Sequence, residues 1–213
     1  MQPLVILGNG NFAVEAADLA SDVPDYRVDY FVQSVDPQAP TGELEGLPVL
    51  WVETARRLAQ THWAVCAIGT PQRRAFIEMA ASYGFRFATL IHPTARVSLR
   101  SSVGEGSIVS AGAVIAAHTR VGRHVIVNRG ALIGHHCAIG DYSTLGPGSN
   151  VGGCVFLGEQ TFVGIGALVS DHITIGERCS LPAGAVITTD LGDDTRAPMR
   201  RSRPVPSFPH RSW

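Results

Sequence analysis

Among the 213 residues there is no lysine; all 17 basic residues are arginine. Schiff-base catalysis, a lysine-bound pyridoxal cofactor and a Walker-type phosphate loop each need a flexible ammonium group, so all three are excluded. Cysteine is sparse as well: Cys66, Cys137, Cys154 and Cys179 lack CxxC spacing, which favours reduced, mostly buried thiols over disulfides. A formal net charge of -1 gives no broad field to attract nucleic acid. No run approaches the roughly 18 apolar residues of a membrane span, and Met1-Gln2-Pro3 leads directly into an apolar run without a basic leader, so a cytoplasmic protein is expected.

What is abundant is glycine, 23 residues, within a chain that is 45% hydrophobic and therefore packed. Seventeen of these glycines fall between residues 91 and 192, where the sequence also becomes periodic. Every sixth residue from Ile91 through Val97, Val103 and onward to Ile187 is aliphatic, without insertion, and four residues after nearly every one stands something small or β-branched. A hexapeptide period is the mark of a parallel β-helix. Three hexads per triangular coil would stack residues 18 apart at one strand spacing, giving between five and six coils over 89–192. Glycines such as Gly104, Gly122, Gly134 and Gly140 directly follow the aliphatic position and are expected to permit the turns.

Before the repeat, apolar runs at 4–7, 28–32 and 63–68 alternate with helical stretches at 12–21 and 73–83. This predicts a small parallel α/β domain over 1–88. After Ile187 the repeat ends, and a tail over 193–213 rich in arginine and proline is expected to be extended or partly disordered.

One residue per hexad points outward from the middle of a face. The first column reads Arg96, Val114, Leu132, Asn150, Leu168, Val186; the second Ser102, Arg120, Ala138, Phe156, Thr174; the third Ile108, Ile126, Thr144, Phe162, Ser180. Two largely apolar faces on one prism should be covered, and a homotrimer burying two faces per subunit is expected.

The segment Asn128-Arg129-Gly130-Ala131-Leu132-Ile133-Gly134-His135-His136-Cys137-Ala138-Ile139-Gly140-Asp141 is the most informative. It resembles the corresponding segment of bacterial sugar acyltransferases, the NeuD-type sialic acid O-acetyltransferases and the PglD-like nucleotide-aminosugar N-acetyltransferases. The hexad pattern likewise resembles the left-handed β-helix of hexapeptide acyltransferases, and the likeness spans nearly the whole chain because that family places a Rossmann-like domain first. The resemblance implies His135 as general base and Asn128 beside the acetyl group. A neutral imidazole at His135 is chemically suited to take a proton from an attacking amine or hydroxyl. Where the family usually has Asp or Glu after its histidine, this chain has His136, and a further acyl-site histidine is Thr144 here. A backbone carbonyl could fix the His135 tautomer instead.

For acetyl-CoA, the expected co-substrate, the resemblance implies a groove beyond His135 with Gly153 as a backbone contact and Thr144 beside the acyl site. The stretch Arg196-Ala197-Pro198-Met199-Arg200 resembles the family's end of the repeat, so Arg196 and Arg200 are candidates for the coenzyme phosphates. At the other end, Gly8-x-Gly10-x-x-Ala13 opens the first helix like a dinucleotide loop, but the acidic residue usual after the second strand is missing. A nucleotide-sugar phosphate on the helix N-terminus is therefore expected rather than NAD, with Gly8, Gly10, Asn11, Phe12, Gln33, Gly69, Thr70 and Arg73 as candidate contacts.

A competing column, His118, His136, Cys154 and His172, stands one coil apart per step. Parallel side chains one strand spacing apart are poor tetrahedral ligands, and no metal is expected. The expected activity is acetyl transfer to the amino group of a nucleotide-linked deoxysugar in surface glycan synthesis. Sugar O-acetylation is the first alternative, and a metal protein like the left-handed β-helix carbonic anhydrases or a non-catalytic trimeric scaffold are the further ones.

Overall fold

A computed structural model describes residues 1–33 and 42–198. The N-terminal unit is a six-stranded sheet in the order β3-β4-β2-β1-β5-β6, with β1 (Gln2–Leu7), β2 (Tyr26–Gln33), β3 (Glu43–Leu44), β4 (Leu47–Trp51), β5 (Trp63–Cys66) and β6 (Arg86–Phe87). All pairings are parallel except the β3–β4 hairpin. Helix α1 (Asn11–Ser21) buries Ala13, Ala16, Leu19 and Ala20, a small-residue stripe that lets it lie close on the sheet. The short α2 (Val52–Ala55) and α3 (Arg74–Ser82) complete the unit. Leu4, Val5, Ile6 and Leu7 of β1 are fully buried, as a central parallel strand requires.

Each hexad from Leu90–Ile91 to Val186–Ile187 contributes one two-residue strand, and the strands stack into three parallel sheets of six, six and five members. The register is 18 residues throughout, for example Ile115 against Ile133 and Ile133 against Val151. Five complete coils and two faces of a sixth result. The stack then continues through single bridges, Ile175 to Leu191 and Ser180 to Arg196, so the first residues expected in the tail belong to the prism. Of that tail, 199–213 lies outside the described residues.

Aliphatic residues such as Val127, Ile133 and Leu145 fill the prism axis at 0–1% exposure. The small inward residues do a second job. Thr119 Oγ1 donates to the Gly134 carbonyl at 2.6 Å and accepts from the Cys137 N–H at 3.1 Å; Ser107, Ser143 and Thr161 repeat the pattern on another corner. These bonds satisfy turn backbone that the sheets leave unpaired.

The glycines after each aliphatic residue serve a different purpose from the one expected. The left-handed turn residue comes two positions later, at His136 (φ 57°) for instance. Gly134 is required because a Cβ there would stand 2.6 Å from the Gly152 carbonyl group and the Gly153 nitrogen of the next coil. Close stacking of coils, not turn conformation, selects it.

The third outward column is also corrected. Ile108, Ile126 and Thr144 are 1–2% exposed because the chain's own N-terminal unit lies on that face; Ile108 joins one core with Leu4, Ala88 and Leu90. A second copy of the chain is not needed to cover it. The first column stays open, with Leu132, Leu168 and Val186 at 40%, 44% and 63% exposure, and Phe156 of the second column is 51% exposed. Among the described residues, no helix is long and apolar enough to cross a membrane.

Candidate active site

His135 sits on the corner between the face of residues 132–133 and that of 138–139, exposed to solvent. Backbone bonds fix the turn on both sides: the His136 N–H donates to the Ala117 carbonyl at 3.0 Å and the Cys154 N–H to the His135 carbonyl at 2.8 Å. The imidazole lies flat over Gly153, where an added Cβ would stand 2.8 Å from Cε1 and 2.9 Å from Nε2. On its Cβ side the space above Gly153 is therefore filled by the histidine ring. Gly153 acts on the ring, by leaving room for it.

His135 Nδ1 and His136 Nδ1 are 3.1 Å apart, so the group facing His135 Nδ1 is a second imidazole rather than a backbone carbonyl. His136 in turn stacks on His118, ring centroids 4.8 Å apart and tilted by 33°. Among the described residues no group of three His, Cys, Asp or Glu is placed to hold a metal ion.

Asn128 occupies the preceding corner of the same coil, 9% exposed, its Nδ2 donating to the Leu145 carbonyl at 3.0 Å. The whole face of residues 132–133 separates it from His135, and the single chain does not bring the two together.

Arg73 and Thr144 are placed otherwise than expected. Arg73 is 2% exposed, and its guanidinium donates to the carbonyls of Thr70, His124, Tyr142 and Ser143 and to Thr144 Oγ1, all at 2.8–2.9 Å. Burial lowers its pKa to about 10, and no carboxylate meets it among these partners. A side chain so engaged and buried pins the N-terminal unit to the β-helix and does not reach the cavity at the α1 N-terminus. Thr144, itself 2% exposed, is consumed by Arg73 and the Gly69 carbonyl and cannot line an acyl pocket. No sequence signal distinguished Arg73 from an exposed arginine, since its acceptors are turn carbonyls of a distant segment.

Six of the other N-terminal candidates do converge. Gly8, Gly10, Asn11, Phe12, Gln33 and Gly69 line one cavity of about 370 Å³. Gly8 has φ 129°, and a Cβ there would stand 3.0 Å from the Ala67 carbonyl oxygen, so only glycine fits. Gly10 caps α1 without any side-chain bond, and no acidic residue stands in the first turn to offset the positive dipole end. Asn9 Nδ2 donates to Gln33 Oε1 at 3.0 Å across the rim. Thr70 lies elsewhere, in a cavity of about 510 Å³ with Phe162, Arg178 and Arg196. Arg196 is exposed there; Arg200 lies outside the described residues.

Residues 118–153, which include His135 and Asn128, match the family of bacterial transferase hexapeptides (six repeats). No curated protein matches the chain significantly. Among solved structures, the acetyltransferase domain of PglB from Neisseria gonorrhoeae FA1090 in complex with acetyl coenzyme A is 31% identical, with 92% of this chain and 95% of that one aligned at a TM-score of 0.84. A mutant of perosamine N-acetyltransferase from Caulobacter crescentus in complex with CoA and GDP-perosamine is 33% identical over 92% and 93%, TM-score 0.86. WeeI from Acinetobacter baumannii AYE, 20% identical over 87% and 96% with a TM-score of 0.71, shares the fold. With this identity sustained over nearly its full length, the chain belongs to the sugar N-acetyltransferases of the hexapeptide family.

Proposed function

We propose that the chain transfers the acetyl group of acetyl-CoA to the amino group of a nucleotide-linked amino-deoxysugar, a step of bacterial glycan synthesis carried out in the cytoplasm. The observation that carries this reading is His135, an exposed imidazole held flat on Gly153, in a chain one-third identical to a perosamine N-acetyltransferase crystallised with CoA and GDP-perosamine.

His135 Nε2 faces away from His136 and serves as the base. The acceptor amine attacks the thioester carbonyl carbon, a C–N bond forms, and the amine proton passes to Nε2. The tetrahedral intermediate collapses with loss of the C–S bond, and the proton on His135 goes to the departing CoA thiolate. The N-terminal unit, read as a Rossmann-like domain over 1–88, holds the nucleotide in the cavity of Gly8, Gly10 and Phe12, its phosphate on the α1 N-terminus. The β-helix, read as left-handed, supplies the acetyl-CoA groove, with Arg196 and Arg200 for coenzyme phosphate.

The trimer is part of this reading. Leu132, Leu168 and Val186 form an open apolar strip between the His135 corner and the Asn128 corner, and a partner packed on it would bring the Asn128 corner of one copy toward the His135 corner of the next. The experiment is acetyl-CoA turnover against amino-deoxysugars linked to UDP, GDP, dTDP and CMP, beside thermal-shift measurements with the free nucleotides. Turnover on one of them with a loss of at least about 10²-fold in kcat for His135→Ala supports the reading. Absence of turnover on the whole series, or acetylation of a free sugar hydroxyl instead, overturns it.

A further inference from the structure

Resting on the assignment of His135 as base, we infer that His136 is the positioning residue that fixes the working tautomer of His135, an imidazole doing this without a carboxylate. Two Nδ1 atoms 3.1 Å apart are in contact only if one carries the proton and the other accepts it. If His135 is to accept a proton at Nε2, its own proton stands on Nδ1, and His136 Nδ1 is the acceptor; His136 then carries its proton on Nε2. When the amine proton arrives at Nε2, the Nδ1–H bond becomes one from an imidazolium to a neutral imidazole, which strengthens it as the reaction proceeds.

His136 is itself held for this task. Its left-handed backbone (φ 57°) and its N–H bond to Ala117 set the Cα, and stacking on His118 sets the ring plane. The titratable and charged residues nearest the pair are His118, Cys154 on the next coil, and Arg100 and Arg120, which line an open cavity with His118 and His136. The Cys137 thiol turns away to the carbonyls of Gly152 and His135.

Two variants suit the left-handed backbone and separate the roles: His136→Gly removes the acceptor, and His136→Asn retains a carbonyl acceptor. His136→Gly is expected to lower kcat about tenfold with KM for acetyl-CoA within about twofold, and His136→Asn to recover part of the loss. His136→Glu is expected to move the acid limb of the kcat/KM profile to higher pH, because a carboxylate stabilises the imidazolium of His135. A tautomer measurement needs no substrate: long-range 1H–15N spectra of the neutral rings should show His135 protonated at Nδ1 in the wild type and at Nε2, the form isolated imidazoles favour, in His136→Gly. Wild-type His135 protonated at Nε2, or unchanged kcat and pH profile in His136→Gly, overturns the inference. The spectra decide it even if no nucleotide-sugar is acetylated, an outcome that would count against the proposed substrate alone.

Discussion

Arg73 Nη1, from the N-terminal unit, donates to Thr144 Oγ1 of the β-helix at 2.9 Å, 71 residues away in sequence. Together with three β-helix carbonyls on the same guanidinium, this bond makes the two units one body. The placement of the cavity at the α1 N-terminus relative to the His135 column depends on it. Arg73→Met keeps the aliphatic stem but strands five acceptors in a buried interface, and should cost about 3 kcal/mol in chemical denaturation. Arg73→Lys, with three donors on a point charge, should recover only part of that. A loss below about 0.5 kcal/mol for Arg73→Met would mean that water replaces the guanidinium freely.

Glycines 153 and 134 should respond differently to the same methyl group. Gly153→Ala meets a movable imidazole, so kcat should fall about tenfold as His135 is displaced while the melting temperature changes little. Gly134→Ala meets backbone of the next coil at 2.6 Å and should instead destabilise the fold by about 2 kcal/mol or more. Paired kinetics and thermal denaturation of the two variants check this; equal stability losses would contradict it.

Acid should weaken the domain junction through His124. This ring, 7% exposed, stacks on Tyr142 at 5.3 Å and meets Phe87 edge-on at 4.7 Å, and its Nδ1 has no hydrogen-bond partner. Burial lowers its pKa from 6.5 to about 4. The unfolded chain therefore takes up a proton near pH 6.5 that the folded chain refuses until about 4, and stability is present above 6.5 and lost progressively on the way down. Comparing denaturation midpoints at pH 7.5 and 4.5, His124→Asn, which tolerates the φ of 55° and does not titrate, should remove about 2 kcal/mol of the pH dependence. An unaltered slope would assign the acid lability to other groups.

The open strip should govern assembly. Leu168→Glu, at a site 44% exposed, should leave the fold intact and convert a threefold mass to a monomeric one by light scattering. A monomeric wild type would remove the trimer.

The β-helix was legible in the sequence because each hexad repeats the same local demand, one aliphatic knob and one small inward residue, and seventeen repetitions leave no other fold able to satisfy all of them. The glycine loop of the N-terminal cavity was legible for a similar reason, since Gly8 to Phe12, half of its lining, form one strand-to-helix turn. What escaped was pairing between distant segments. Arg73 read as a phosphate ligand because arginine beside a loop usually is one, and Thr144 read as part of an acyl pocket by position alone. Their engagement with each other depends on which face the N-terminal unit covers, and the apolar third column was equally suited to a second copy of the chain. The His135–His136 contact escaped because a side-chain bond between neighbours needs the left-handed turn that only the structure shows.

The unbroken 18-residue register gives this chain an unusual relation to length change. Excising one full coil would rejoin every later column to its own kind, whereas losing a single hexad would rotate everything beyond it by one face, and losing one residue would turn each subsequent aliphatic side chain out of the axis. Beyond Ile187 the prism shows one such change itself, since its last bridges span 16 residues rather than 18, and the two-residue strands end there. Its corners, where His118, His136, Cys154 and His172 all occupy the same backbone conformation, can be redressed one residue at a time, and new chemistry enters such a fold by substitution at those fixed addresses.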